Sequence, residues 1–85
     1  MIALLYRAGG RPIRAEGVSV LAALGALDAR IVERCGVSLG EDRSFDVLEC
    51  VSDLSGARDG TTYRRADVSS PESNFTVTLL RGGAR

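Results

Sequence analysis

Val20, Leu24, Leu27 and Ile31 recur at intervals of four, three and four residues, which places these apolar side chains on one stripe of an α-helix. Ser19 stands before the stripe as a ready N-cap and Gly36 after it as a left-handed C-cap, so the pattern predicts a helix from Val18 to Cys35. Arg30, Glu33 and Arg34 fall mainly on the other face. A helix with one apolar stripe is marginal alone in water and needs a second layer to cover it. The chain has 85 residues, enough for one core around one helix and one sheet but not for a second core or a deep catalytic cleft. Gly25, in the middle of the helix, costs about 1 kcal/mol against alanine, and the expected return is a close approach to the sheet.

The strands are read from alternation. Met1 to Tyr6 forms a first strand, and Arg7-Ala8-Gly9-Gly10 breaks it with glycines able to take the positive φ of a hairpin turn. Arg11 to Glu16 is expected to run back beside it, with Pro12 marking an edge or a poorly paired start. After the polar turn Gly40 to Ser44, the run Phe45 to Val51 reads as a third strand, although apolar residues occupy both phases of its alternation. Ser52 to Gly60 is a loop, Thr61 to Arg65 a short strand or a turn, and Val68 the next core anchor. Phe75, Val77 and Leu79 alternate with Thr76 and Thr78 in the last strand. The order hairpin, helix, strand, connection, strand predicts an α+β fold of β-grasp type: a mixed sheet with one packed helix, the last strand central and parallel to the first.

Composition removes several function classes. Basic and acidic residues number 11 each, which argues against nucleic-acid binding through phosphate neutralisation. There is no histidine, and Cys35 and Cys50 have no CxxC spacing, so a metal site or a Cys-His nucleophile is not expected and both thiols are read as reduced. No apolar run is long enough for a membrane span or a signal-peptide core, and a cytoplasmic protein is expected. All 11 basic residues are arginine, so no lysine amine is available for acylation. The chain is not expected to be an enzyme.

The last strand runs into Leu80-Arg81-Gly82-Gly83-Ala84-Arg85. Two glycines can thread a narrow channel fully extended and let an enzyme approach the main chain closely, which suits chemistry on the carboxyl of Gly83 once Ala84 and Arg85 are removed. The expected division is therefore a domain over 1–81 and a flexible tail over 82–85. Glycine-rich ends are also commonly just frayed.

Asp59-Gly60, a threonine, Tyr63, Val68 and an alternating strand ending in Leu80-Arg81-Gly82-Gly83 resemble the carboxyl-terminal part of the ubiquitin family. The first half is similar in pattern only, and the segment between Phe45 and Asp59 is longer than in that family. What the resemblance implies is a protein modifier that is not itself catalytic. A JAB-type metalloprotease would cut after Gly83, an activating enzyme would use ATP to form the acyl-adenylate and then a thioester, and a conjugating enzyme would deliver the acyl group to target proteins. No cofactor of its own is implied. Gly82 and Gly83 would form the conjugation site, while Leu80, Arg81, Val47 and Leu48 would contact partners, Arg81 by gripping a carboxylate. The arginine-rich chain with its two-residue extension looks like bacterial ubiquitin-like proteins encoded beside their own enzymes, in operons linked to phage defence. Two other readings stand beside it. One is a sulfur carrier forming a Gly83 thiocarboxylate; the other is a non-covalent inhibitor or adaptor that binds through a sheet edge such as Arg11 to Glu16.

Overall fold

The computed structural model describes residues 1–36, 38–39, 45–65 and 74–82. Two antiparallel strands open it, β1 (Ile2–Arg7) and β2 (Ile13–Gly17), in register from Ile2 opposite Gly17 to Tyr6 opposite Ile13. Pairing starts at Ile13, not Arg11, because Pro12 has no N–H to offer a ladder. Gly9, at φ 79°, supplies the left-handed step of the intervening turn. The helix α1 (Val20–Cys35) follows directly, with the Ser19 hydroxyl accepting the Ala22 N–H at 3.1 Å. Gly36, at φ 76°, closes the helix by donating its N–H to the Val32 carbonyl at 2.8 Å. Val20, Leu24, Leu27 and Ile31 are all buried in the core shared with the sheet, where full burial of one such side chain is worth about 1.5–3 kcal/mol.

The next element corrects the sequence reading. Residues expected to form a third strand instead begin a second helix, α2 (Val47–Ser55), capped by Asp46, whose Oδ1 accepts the Glu49 N–H at 3.1 Å. Cys50 and Leu54 are fully buried, Val51 is half-buried, and Leu48, Glu49, Ser52 and Asp53 are exposed. Apolar positions at 47, 50, 51 and 54 are the one-sided pattern of a helix, and a helical stripe sampled with a period of two fills both phases.

β3 (Thr62–Arg65) and β4 (Phe75–Arg81) complete a four-stranded sheet of order β2-β1-β4-β3. The first and last strands are neighbours at its centre, as expected, but their register runs from Ile2 opposite Arg81 to Arg7 opposite Thr76, which is antiparallel. The β3–β4 pair is antiparallel too, so the sheet is not mixed. A helix over 47–55 replaces the expected third strand, and β4 enters the sheet as the antiparallel partner of both β1 and β3. The result is an α+β architecture with helices packed on an antiparallel sheet. It is compatible with a β-grasp-like fold in strand order, but the expected ubiquitin-like strand direction is not found. The polar turn at 40–44 and the expected anchor Val68 lie outside the described residues.

One end of the core is aromatic: Phe75 meets Tyr6 at 5.6 Å and Phe45 at 5.4 Å between ring centroids, and Phe45 meets Tyr63 edge-on at 5.9 Å. Close approach of helix to sheet occurs at Gly17, not at Gly25. A Cβ on Gly17 would lie 2.3 Å from the Ala23 nitrogen and 2.7 Å from the Ala22 carbonyl carbon, whereas one on Gly25 would meet nothing within 4 Å.

Candidate functional site

The sequence directs attention to the end of β4, and the structure shows how that end is held. Leu80, half-buried, lies opposite Ala3, and Arg81 lies opposite Ile2. Gly82 extends the ladder by one step, donating its N–H to the Met1 carbonyl at 2.6 Å, and takes φ 70°, a left-handed turn away from the strand direction. The antiparallel pairing thus sets the exit of β4 beside the first residues of β1. Around it lies a recess of about 220 Å³ bordered by Arg14 and Glu16 of β2, themselves ion-paired at 3.5 Å, and by Asp59.

Most of the geometry comes from the connection between α2 and β3. The Asp59 carboxylate accepts the Arg81 backbone N–H at 2.6 Å. The Arg81 guanidinium turns back onto the carboxyl end of α2: Nε and Nη2 both donate to the Ala57 carbonyl, at 2.9 and 2.7 Å, and Nη2 also donates to the Ser55 carbonyl at 3.0 Å. A cation there answers carbonyls left open at the end of a helix, where the helix dipole is negative. Gly60, at φ 88°, donates to the Leu79 carbonyl at 2.7 Å, and the Leu79 N–H returns to Thr61 at 2.8 Å. Asp59-Gly60, noticed in the sequence only through a family resemblance, therefore has a mechanical role in fixing where β4 ends. Arg81 was expected to be free to grip a partner carboxylate. In the structure its Nε and Nη2 are engaged within the chain, so such a grip would use Nη1 or exchange these bonds. Gly83, Ala84 and Arg85 lie outside the described residues.

Val47 and Leu48 sit elsewhere. They occupy the first turn of α2, roughly 12 Å along the helix from the Arg81 clamp at a rise of 1.5 Å per residue, and are 38% and 82% exposed. Val47 borders an apolar groove of about 160 Å³ between the helices, with Leu21, Leu24, Gly25, Leu39 and Phe45. The structure does not bring this pair together with Leu80, Arg81 and Gly82. Asp28 shapes the groove's far end, its carboxylate accepting the Ser38 hydroxyl at 2.8 Å and the Leu39 N–H at 2.7 Å.

Cys50 is fully buried, and its thiol is pushed up to about 12 by burial, then by the Asp53 and Glu49 charges, so it stays protonated and is a poor nucleophile at neutral pH. Cys35 is exposed at the end of α1. Burial also raises the Tyr63 phenol, whose hydroxyl has no hydrogen-bond partner; the Asp46 backbone opposes the shift without reaching hydrogen-bond geometry. Among the described residues no group of three His, Cys, Asp or Glu side chains converges to hold a metal, and no helix is long and apolar enough to cross a membrane. No family model, no curated protein and no solved structure matches this chain.

Proposed function

We propose that this chain is a protein modifier that acts through the carboxyl of Gly83. The supporting observation is that Leu80 and Arg81 end a strand at the centre of the sheet, that Gly82 and Gly83 follow them in sequence, and that this end is held by Asp59 and by the Arg81 guanidinium on the carboxyl end of α2. A fixed base leading into two glycines defines the point from which a partner enzyme would draw the terminus into its own site. Hydrolysis after Gly83 would release Ala84-Arg85. The freed carboxylate would attack the α-phosphate of ATP, giving the acyl-adenylate and pyrophosphate. A thiol of the activating enzyme would displace AMP to form a thioester, and a target amine would displace the thiol to form an amide. The chain supplies the acyl group and its partners supply the catalysis.

Strand direction favours a second reading. The ubiquitin-like pattern has its first and last strands parallel and this sheet does not, while β2 and β3 are outer strands able to pair with an extended peptide. On that reading the chain is a non-covalent binding module. Intact-mass measurement after incubation with ATP and candidate peptidase and activating partners separates the two. Loss of Ala84-Arg85 followed by an adduct that a Gly83-deleted variant cannot form supports the modifier, and a gain of one sulfur points to a carrier. Absence of both, with a partner still bound after residues 82–85 are removed, leaves the binding module.

A further inference from the structure

At the opposite end of β4, roughly 17 Å from the Arg81 clamp at strand spacing, three arginines border one recess. In the registers, Arg7 of β1 and Arg64 of β3 both lie directly opposite Thr76 of β4. Thr76 alternates with the buried Phe75 and Val77, so Arg7, Thr76 and Arg64 form a cross-strand row on the face of the sheet away from the core. Arg65 alternates to the inner side, opposite Phe75, yet borders the same recess of about 260 Å³ together with Asn74.

The chemistry of this lining is one-sided. A guanidinium offers five N–H donors and no acceptor, and among the described residues the recess is bordered by three of them and by no carboxylate. Among the described residues the one ion pair is Arg14 with Glu16, so none of these three arginines is neutralised there. The Arg65 Nε is shielded from solvent and has no hydrogen-bond partner, a donor with its water removed and nothing in its place. Three like charges around one hollow repel one another, and an oxyanion between them would relieve that repulsion while accepting several charge-assisted hydrogen bonds. We infer that the recess between Arg7, Arg64 and Arg65 binds a phosphate group, with the Thr76 hydroxyl as a further donor. The ligand is inorganic phosphate or a phosphate monoester; the shared chemistry is the dianionic head. This site is independent of the carboxyl terminus.

Titrating the full chain with inorganic phosphate at constant ionic strength, followed by ¹H–¹⁵N spectra that include the arginine Nε–H resonances, tests the assignment. The expected result is saturable shifts at Arg7, Arg64, Arg65 and Thr76 with a Kd of about 1 mM or tighter. Arg64→Gln and Arg7→Gln each weaken binding about tenfold, while Arg14→Gln, on the same face but paired with Glu16, leaves it unchanged. Parallel titrations with O-phosphoserine and a nucleoside monophosphate distinguish the sources: tighter binding of an ester identifies a phosphorylated ligand, and equal binding identifies free phosphate. The same shifts with chloride alone, or an Arg14→Gln effect as large as the other two, would overturn the proposal, as would no saturable shift at the four residues.

Discussion

Replacing Gly17 by alanine tests the packing of helix on sheet at its tightest point. The added Cβ would stand 2.3, 2.7 and 2.8 Å from the Ala23 nitrogen, the Ala22 carbonyl carbon and the Ala23 Cα, all main-chain atoms in the first turns of α1. No side chain can swing aside to relieve that overlap, so α1 or the end of β2 must shift. Overpacking of this kind costs about 1–3 kcal/mol and more when backbone has to move, so about 3 kcal/mol is taken for the clash. Gly17 has no positive φ, and the gain from stiffening the unfolded chain returns at most about 1 kcal/mol. The net loss is therefore about 2 kcal/mol or more. A chain of 85 residues has roughly 4–13 kcal/mol of stability at 0.05–0.15 kcal/mol per residue, so this is a large fraction of the whole. At about 4–8 °C per kcal/mol for a domain of this size, Tm falls by at least about 8 °C. Gly25→Ala provides the opposite sign, because its Cβ meets nothing within 4 Å and its helix position gains about 1 kcal/mol. Circular dichroism during thermal and urea unfolding of both variants reads the difference directly. A Gly17→Ala protein within about 0.5 kcal/mol of the parent would refute the close approach.

Four further outcomes rest on contacts elsewhere in the fold. Arg81→Ala removes the guanidinium bonds to Ser55 and Ala57 and is expected to cost about 1–2 kcal/mol, seen as faster amide exchange at the end of α2; Arg81→Lys recovers only part, having no fork. Asp46→Ala removes the N-cap of α2 and should lower stability by about 1 kcal/mol, with loss of helical Cα shifts over residues 47–50; unchanged shifts there would contradict the helix. For Cys50, the folded thiol titrates near 12 while the unfolded one titrates near 9, so the unfolded state ionises first as pH rises. Its contribution to stability is complete below about pH 9 and declines from there toward pH 12, a decline that Cys50→Ala should flatten in urea titrations across that range. At neutral pH, a thiol reagent should modify Cys35 quickly and Cys50 only on unfolding.

The helix α1 with both caps, the opening hairpin and the last strand were legible in the sequence because each rests on local chemistry. Ser19 and Gly36 act on backbone groups within one turn, and Phe75, Val77 and Leu79 alternate with threonines whichever strand lies beside them. The segment from Val47 to Ser55 was misread because apolar residues in both phases suit either a strand or a helical stripe, and the choice falls to Asp46 at its start and the buried Cys50 and Leu54. Of the candidate site, the sequence showed Leu80, Arg81 and Gly82 but not their restraint. The partners of Arg81 are main-chain carbonyls more than twenty positions away, and a carbonyl leaves no mark in a sequence.

Local pattern alone thus determined the helix α1 with its caps, the opening hairpin turn, and the alternating last strand that leads into Leu80-Arg81. Tertiary structure alone decided strand direction, because the alternation within a strand is the same whichever way its neighbour runs. It also decided that Gly17 carries the helix–sheet contact and that Arg7, Arg64 and Arg65 border one recess. Those relations exist only once distant strands are placed in register.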